Sequence, residues 1–375
     1  MSVTAAIAVC LGMLLAAGLA ERLLRDRARA AVPIRVHVNG TRGKSTVTRL
    51  IAAALRAHGV PTLARVTGTE ARLLLPDGTE RPVRRLGPAN VREELRFLLL
   101  ARRLGVKAAV VECMAIRPDL QHAAEREMVD GTIGVVTNVR TDHTEAMGAG
   151  LAEIAASLAA TVPRGGVLVL GTPDFAELFR ERADSLGTRV VVAGPPSGAG
   201  TPWLEEDVAT ALAVTRLLGV PDDVARRAMA SAAADPGAFR ERVVRVAGRE
   251  VALLDARAAN DPESFALLCR TSTLLSSASG PVLAIYNHRH DRPDRLRRFA
   301  PSLAALPGAR VLLTGDRPAL ALSRAVRPAG ARAFPFVPVR RLRAAVAGSG
   351  AGALVLCGNT RGLPVEAVVG GSPSG

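Results

Sequence analysis

The sequence predicts an α/β protein: a phosphate-loop domain on a mostly parallel sheet, then a smaller Rossmann-like α/β domain, all preceded by one N-terminal transmembrane helix. Three observations predict this. Short aliphatic runs alternate with amphipathic stretches, a glycine-containing loop joins the first run to a helix, and an uncharged apolar stretch precedes both. A length of 375 residues suits two or three domains, and a hydrophobic fraction of 49% excludes a wholly disordered chain.

Val3 to Ala20 carries no charge. Its 18 residues would span about 27 Å as a helix, close to the ~30 Å hydrocarbon core. Arg22, Arg25, Arg27 and Arg29 follow it and nothing basic but the terminal amine precedes it, so the positive-inside rule places the rest of the chain in the cytoplasm. A cleaved signal peptide lacks its basic start here, although Gly18-Leu19-Ala20 is a tolerable cleavage site; a buried core helix is the third reading. Ile34 to Val38 is β-branched and reads as a strand. Thr46 to His58 places Val47, Leu50, Ile51, Ala54 and Leu55 on one helix face, and Gly59 stops it. Leu73 to Leu75 and Glu80 to Val83 flank Pro76-Asp77-Gly78 as a hairpin. Ala108 to Glu112, Ile133 to Asn138, Val167 to Leu170 and Arg189 to Ala193 are further strands alternating with helices, the pattern of a parallel sheet covered on both faces. Gly194 to Pro202 is a linker, Glu205 to Ala234 is mostly helical, and Val251 to Asp255, Val282 to Tyr286, Arg310 to Thr314 and Ala353 to Cys357 form a second sheet. The expected divisions are 1–32 for the anchor and basic segment, 33–239 for the phosphate-loop domain with its helical linker, and 240–375 for the last domain.

The net charge is +15, and of 49 basic residues only Lys44 and Lys107 are lysines, which leaves 47 arginines. Such a surplus invites nucleic acid, an anionic membrane or an acidic polymer. Aromatics at 3% offer no stacking platform for single-stranded bases. Cys10, Cys113, Cys269 and Cys357 lie far apart and form no CxxC pair, so neither a disulfide framework nor a cysteine metal cluster is expected.

The strongest chemical signal is Asn39-Gly40-Thr41-Arg42-Gly43-Lys44-Ser45-Thr46 between a strand and a helix. The glycines let backbone N–H groups face phosphate oxygens, Lys44 reaches the outer phosphates and Ser45 can ligate Mg²⁺. Val38 stands where the first glycine of the common motif would be. Glu112 ends one strand, and Asp142-His143 follow another, so all would project from one sheet edge, where ligands of open α/β sheets sit.

These residues resemble the Mur-ligase superfamily of ATP-dependent amide ligases, which includes folylpolyglutamate synthetase. Three phrases, His37 to Ile51, Glu112 to Gln121 and Asp255 to Ser264, resemble more closely the catalytic subunit family of poly-γ-glutamate synthases, and the resemblance runs from about residue 1 to Asn359. It implies that ATP and Mg²⁺ are the cofactors, with Lys44 on the β- and γ-phosphates, Ser45 and Glu112 on one Mg²⁺ and His143 on a second. It also implies adenine contact by Asn260, phosphate contact by Arg240 and ribose contact by Asp291. The substrates would be glutamate and a growing poly-γ-glutamate chain, with no nucleic-acid partner. Membrane subunits for synthesis and export are implied, and a homo-oligomer stays open. Arg65, Arg72, Arg117 and Arg140 are candidate arginines for the acidic substrates, on position alone.

The chain departs from the superfamily in places. Many Mur ligases carry a carbamylated lysine after the Asp-His pair, yet Ile154 to Gly166 contains none, so that ligand is either absent or replaced, with Ser157 or water as the candidates. Asp142-His-Thr-Glu145 keeps a longer carboxylate where the pattern has aspartate, and Cys357 to Gly362 retains part of a glycine-rich close that includes Gly358 and Asn359. Another Mur-type ligase, or a nucleotide-binding membrane scaffold without catalysis, are the competing readings.

Overall fold

The computed structural model describes residues 2–68, 71–85, 87, 90–194, 202–232, 240–257, 259, 262–290, 293–306, 310–317, 335–360 and 362–369. Two compact units divide at residues 235 and 236. The first holds α1 (Val3–Ala31), β1 (Ile34–Asn39), α2 (Lys44–Ala57), β2 (Thr62–Val66), β3 (Arg72–Leu74), β4 (Glu80–Pro82), α3 (Glu93–Arg103), β5 (Ala108–Glu112), α4 (Pro118–Ala123), β6 (Ile133–Val136), α5 (Thr144–Met147), α6 (Leu151–Leu158), β7 (Val167–Leu170), α7 (Ala176–Asp184), β8 (Arg189–Val192), α8 (Pro202–Leu217) and α9 (Asp222–Ala230). Its eight strands lie in the order β4-β3-β2-β5-β1-β6-β7-β8, parallel except for the antiparallel β2-β3-β4 edge.

Alternation along β1 explains how both faces are covered. Val36 and Val38 join Val110, Val135 and Val169 under Val47, Ile51, Ala211 and Val214 of α2 and α8. The opposite face of the sheet buries Leu63, Ala109 and Val111 against Phe97, Leu98 and Ala101 of α3. Each valine, leucine, isoleucine or phenylalanine in these layers contributes about 1.5–3 kcal/mol when fully buried. Helix α2 begins at Lys44, two residues before the expected start, because Gly43 at φ 78° supplies a left-handed entry that a side chain would resist.

Helix α1 departs from a simple span followed by a basic tether. It is one helix from Val3 through Ala31, and its residues 21–31 dock onto the unit. Ala28 and the following Val32 are fully buried with Phe97 and Leu98. Arg29 donates to the carbonyls of Arg126 (3.0 Å) and Met128 (3.2 Å), and Arg25 lies 3.5 Å from Glu127. The apolar half is long enough to cross a bilayer and is exposed on all sides.

The second unit holds β9 (Arg240–Val246), β10 (Arg249–Asp255), α10 (Pro262–Thr271), α11 (Thr273–Ser277), β11 (Val282–His288), α12 (Pro293–Ala304), β12 (Arg310–Gly315), α13 (Val339–Ala347), β13 (Ala353–Cys357) and α14 (Glu366–Val369). Its strand order is β12-β11-β13-β10-β9, parallel except for the β9-β10 hairpin. Sequence reasoning missed β2 and β9, and the expected helical run Glu205 to Ala234 is two helices broken at Gly219-Val220-Pro221. The expected linker falls mostly on 195–201, outside the described residues.

Candidate nucleotide and metal site

The site sits at the C-terminal edge of the first sheet, around the end of β1. After β1 the chain crosses over β5 to reach β2, and β5 in turn connects back across β1 to β6, so winding reverses here and leaves an open crevice. The loop Gly40–Gly43 fills it. Gly40 has φ 125°, and a Cβ there would stand 2.1 Å from Thr137 Oγ1 and 2.7 Å from Thr137 N, so only glycine fits. The neighbouring loop after β6 holds it in place: Thr41 N donates to the Asn138 carbonyl (3.0 Å), Arg42 N to Asn138 Oδ1 (3.0 Å), and Thr137 Oγ1 to the Arg42 carbonyl (2.5 Å). Thr41 Oγ1 accepts from Arg140 N at 3.0 Å.

Lys44 is folded over this loop, its Nζ donating to the carbonyls of Gly40 (2.6 Å) and Thr41 (3.3 Å). Desolvation lowers its pKa, aided by Arg42 and opposed by Glu112 and Asp142. Ser45 Oγ donates to Glu112 Oε2 at 2.8 Å, and both residues are buried. Thr67 N donates to the same Glu112 oxygen at 2.6 Å. Thr67 was not foreseen, although it follows directly on the unrecognised strand β2. A hydroxyl and a carboxylate together are the oxygen donors a small hard divalent cation takes, with phosphates and water completing its shell. Among the described residues no three His, Cys, Asp or Glu side chains gather as a metal cluster, so protein ligands alone do not make the site.

His143 stands apart from that pair in its contacts. It takes the left-handed region at φ 44°, with its ring 3.7 Å from Asp142 and 3.4 Å from Glu145. Asp142 in turn lies 3.0 Å from Arg42, which ties the His143 loop to the phosphate loop.

A buried polar layer lies on the sheet face opposite α2. Asn39, expected among the nucleotide-binding residues, uses its side-chain amide there, donating to Gln121 Oε1 (2.8 Å) and Thr161 Oγ1 (3.1 Å). Gln121 donates to Ser157 Oγ at 3.2 Å. Ser157 therefore belongs to this buried network, and its hydroxyl does not stand in for the absent lysine as a free ligand. Beside it, His37 Nδ1 is 2.6 Å from Glu125. Burial alone would lower the His37 pKa, but Cys113 and Glu125 outweigh it and hold the pKa well above the ordinary histidine range.

Sequence reasoning also missed the wall formed by α8. Glu206 pairs with Arg140 (3.1 Å), and the neighbouring Asp207 presses its Oδ1 to within 2.0 Å of where a Gly43 Cβ would stand. Burial pushes the Asp207 carboxyl up to about 8, reinforced by Glu206 and opposed by Arg140 and a hydrogen bond from Thr46.

The four candidate substrate arginines are placed differently. Arg65 is buried in an ion pair with Glu94 (2.5 Å) and stacks over Phe97, so it is a structural cation and does not line a cleft. Arg117 pairs with Asp119 on the surface, and Arg72 lies 3.9 Å from Glu80 on the β3-β4 edge. Arg140 alone borders the phosphate loop. In the second unit, Arg240 opens β9 opposite Asp255, while Asn260 and Asp291 lie outside the described residues. Asn359 exchanges hydrogen bonds with Asn287 (2.7 and 2.9 Å) and, with Gly358, accepts from Arg295.

Comparison with known proteins decides the family. The profile of the Mur ligase middle domain matches residues 38–215, and that of the poly-gamma-glutamate synthase CapB C-terminal domain matches residues 241–368. The PGA synthase CapB of Bacillus subtilis is 32% identical over 320 residues, covering 82% of this chain and 81% of that protein. The chain belongs to the CapB family of poly-gamma-glutamate synthases. The capsule biosynthesis protein CapB of Bacillus anthracis is 33% identical over 305 residues, 78% of this chain, and the match spans 65% of the length of that relative. The Mur-ligase fold is equally plain in solved structures. Folylpolyglutamate synthase of Thermotoga maritima aligns at a TM-score of 0.60 with 16% identity, covering 93% of this chain and 90% of that one. The bifunctional folylpolyglutamate synthase/dihydrofolate synthase of Yersinia pestis, crystallised with AMPPNP and Mn ion, aligns at 0.61 with 19% identity and 90% coverage of both.

Proposed function

We propose that this CapB-family chain is a membrane-anchored, ATP-dependent ligase that extends poly-γ-glutamate. Membership of the family makes the reaction class ATP-dependent amide formation. The observation that carries the reading in this chain is the Ser45–Glu112 pair at 2.8 Å beside the glycine loop and Lys44. It is a set of oxygen donors next to a phosphate cradle.

A carboxylate resists amide formation because it is anionic and its oxygen leaves badly. Transfer of the γ-phosphoryl group from ATP to a glutamate carboxylate would give an acyl phosphate and ADP. The amine of the joining glutamate would then attack the carbonyl carbon, expel phosphate and lose a proton. Negative charge accumulates on the phosphoryl oxygens in the first step, where Lys44, released from its own loop carbonyls, would stabilise it. Ser45 and Glu112 would hold Mg²⁺, which supplies charge neutralisation between the phosphates when bound. His143, with Asp142 beside it, is the proposed ligand of a second ion. Arg240, Asn260 and Asp291 are the proposed contributions of the second unit to phosphate, adenine and ribose. The apolar half of α1 would anchor the chain, with Arg22 and Arg27 setting a cytoplasmic orientation for both units.

The test is ADP release by the full chain in detergent, with and without glutamate and a short polyglutamate primer. Turnover should require both, and Lys44→Ala and Glu112→Ala should each abolish it. Retained turnover in either variant would remove that residue from the machinery. ATP binding without any glutamate-dependent turnover in the native chain would favour a scaffold instead.

A further inference from the structure

We propose that the first unit carries a second membrane-contacting surface, the basic N-terminal end of α3 with Arg84 and Arg85 before it, which binds anionic lipid headgroups. The proposal rests on the reading of α1 as a bilayer span.

The geometry comes from how α1 and α3 lie together. Glu21 is the first residue after the uncharged run, and it forms an ion pair with Arg92 at the start of α3. Further along both helices, Ala28 and Val32 bury against Phe97, Leu98 and Ala101. The two helices therefore run side by side in the same direction, and the first turn of α3 is level with the point where α1 leaves the apolar span. One turn of helix is about 5 Å, so this surface stands within a Debye length, ~8 Å at physiological salt, of the headgroup plane. Arg102 and Arg103, at the other end of α3, lie about 15 Å farther away.

The charge at this level is net positive. Arg22, Arg84, Arg85, Arg92 and Arg96 are all exposed, against Glu21, Asp26 and Glu93, so five positive charges meet three negative ones. Glu93 is engaged by Arg85 at 2.9–3.1 Å, and Glu94 is buried with Arg65. The arginines that follow the span on α1 do not all serve the bilayer. Arg25 and Arg29 keep only 16% and 14% of their side chains exposed, because they bind Glu127 and the carbonyls of residues 126 and 128. The end of α3 supplies the headgroup-level charge that the docked face of α1 gives up. A surface held beside the bilayer by its own anchor needs only weak attraction per site to stay in contact, and arginines near an anionic leaflet provide it.

The experiment places an environment-sensitive fluorophore at Gly87→Cys in a Cys10→Ser chain. A Cβ at Gly87 meets nothing within 4 Å, and Cys113, Cys269 and Cys357 are buried. The control is the same fluorophore at Arg103→Cys. Full-length protein is reconstituted in nanodiscs of phosphatidylcholine with or without phosphatidylglycerol, both containing a lipid with a nitroxide on its headgroup. Quenching at 87 should exceed that at 103 in phosphatidylglycerol discs, because position 103 lies about 15 Å farther along α3 from the headgroups. Arg84→Gln with Arg96→Gln should reduce quenching at 87 and leave 103 unchanged. Equal quenching at the two positions, or no response to the double substitution, would overturn the proposal while leaving the anchor intact. Failure of the unsubstituted chain to enter nanodiscs would overturn the anchor reading and this proposal together.

Discussion

Replacing Asp207 with asparagine should make the protein more stable at alkaline pH and almost neutral in effect near pH 4. In the folded chain the carboxyl is pushed up to about 8 by burial and by Glu206, against an ordinary value of 3.8. Between those two pH values the unfolded chain is ionised at this position while the folded one holds its proton. Folding therefore takes up a proton, and stability falls as pH rises, by about 1.4 kcal/mol for each unit in that window. By pH 7 the cost reaches about 4 kcal/mol at most, and above pH 8 it levels off because both states are ionised. Asparagine keeps an acceptor for Thr46 and carries no charge at any pH. Denaturant unfolding followed by circular dichroism at pH 5, 6.5, 8 and 9 should show the gap between variant and native chain widening up to pH 8 and then holding. A gap that does not change with pH would refute the reasoning, since loss of packing or of a hydrogen bond has no reason to titrate. The same substitution bears on function, because Asp207 presses on Gly43, the entry to the helix that carries Lys44 and Ser45. Ionisation would set a negative charge against the phosphate loop, so nucleotide affinity should fall above pH 8 in the native chain and stay level in Asp207→Asn.

Further outcomes follow from other contacts. Gly40→Ala should abolish nucleotide binding, read by fluorescent-nucleotide titration, because its Cβ would collide with Thr137 at 2.1 Å. Arg65→Ala should lower stability by about 3–5 kcal/mol by stranding Glu94 in the interior, a loss visible in thermal melts. Removing residues 1–20 should release the protein from membranes with its melting temperature little changed. Removing residues 1–30 should depress that temperature, because Ala28 is buried and Arg29 is hydrogen-bonded to the segment 126–128.

Much of the first sheet was legible because its strands are uninterrupted aliphatic runs. Ala108–Glu112 and Val167–Leu170 occur as expected, and the phosphate loop announced itself by its letters and by its place between strand and helix. Strand β2 was missed because Thr62-Leu-Ala-Arg-Val66 contains Arg65, which reads as a surface residue until its buried partner Glu94 is known. β9 was missed for a similar reason: Arg240, Glu241, Arg242 and Arg245 hide the alternation of a hairpin strand. The α8 wall was invisible to motif reasoning, since Asp207 sits more than 160 positions after the Gly43 it presses on, and Glu206 is 66 positions after the Arg140 it pairs with. Only the fold brings them there.

The arginine surplus also acquires a different meaning. Charge alone suggested nucleic acid, a membrane or an acidic polymer as its destination, and an acidic substrate remains part of the proposed function. Many of these cations instead hold the first unit together. Arg35 donates to the carbonyls of Arg29, Val32, Val129 and Asp130, Arg49 pairs with Glu80, and Arg65 lies under α3. These are positions where several donors in one plane can satisfy several oxygens at once, which a lysine ammonium cannot do as well. Lys44 occupies the opposite situation. In the proposed function it would leave two loop carbonyls for a phosphate, and a compact charge on a flexible stem would make that exchange without breaking a planar fork. The scarcity of lysine and its retention at the phosphate loop thus follow from one difference in side-chain geometry.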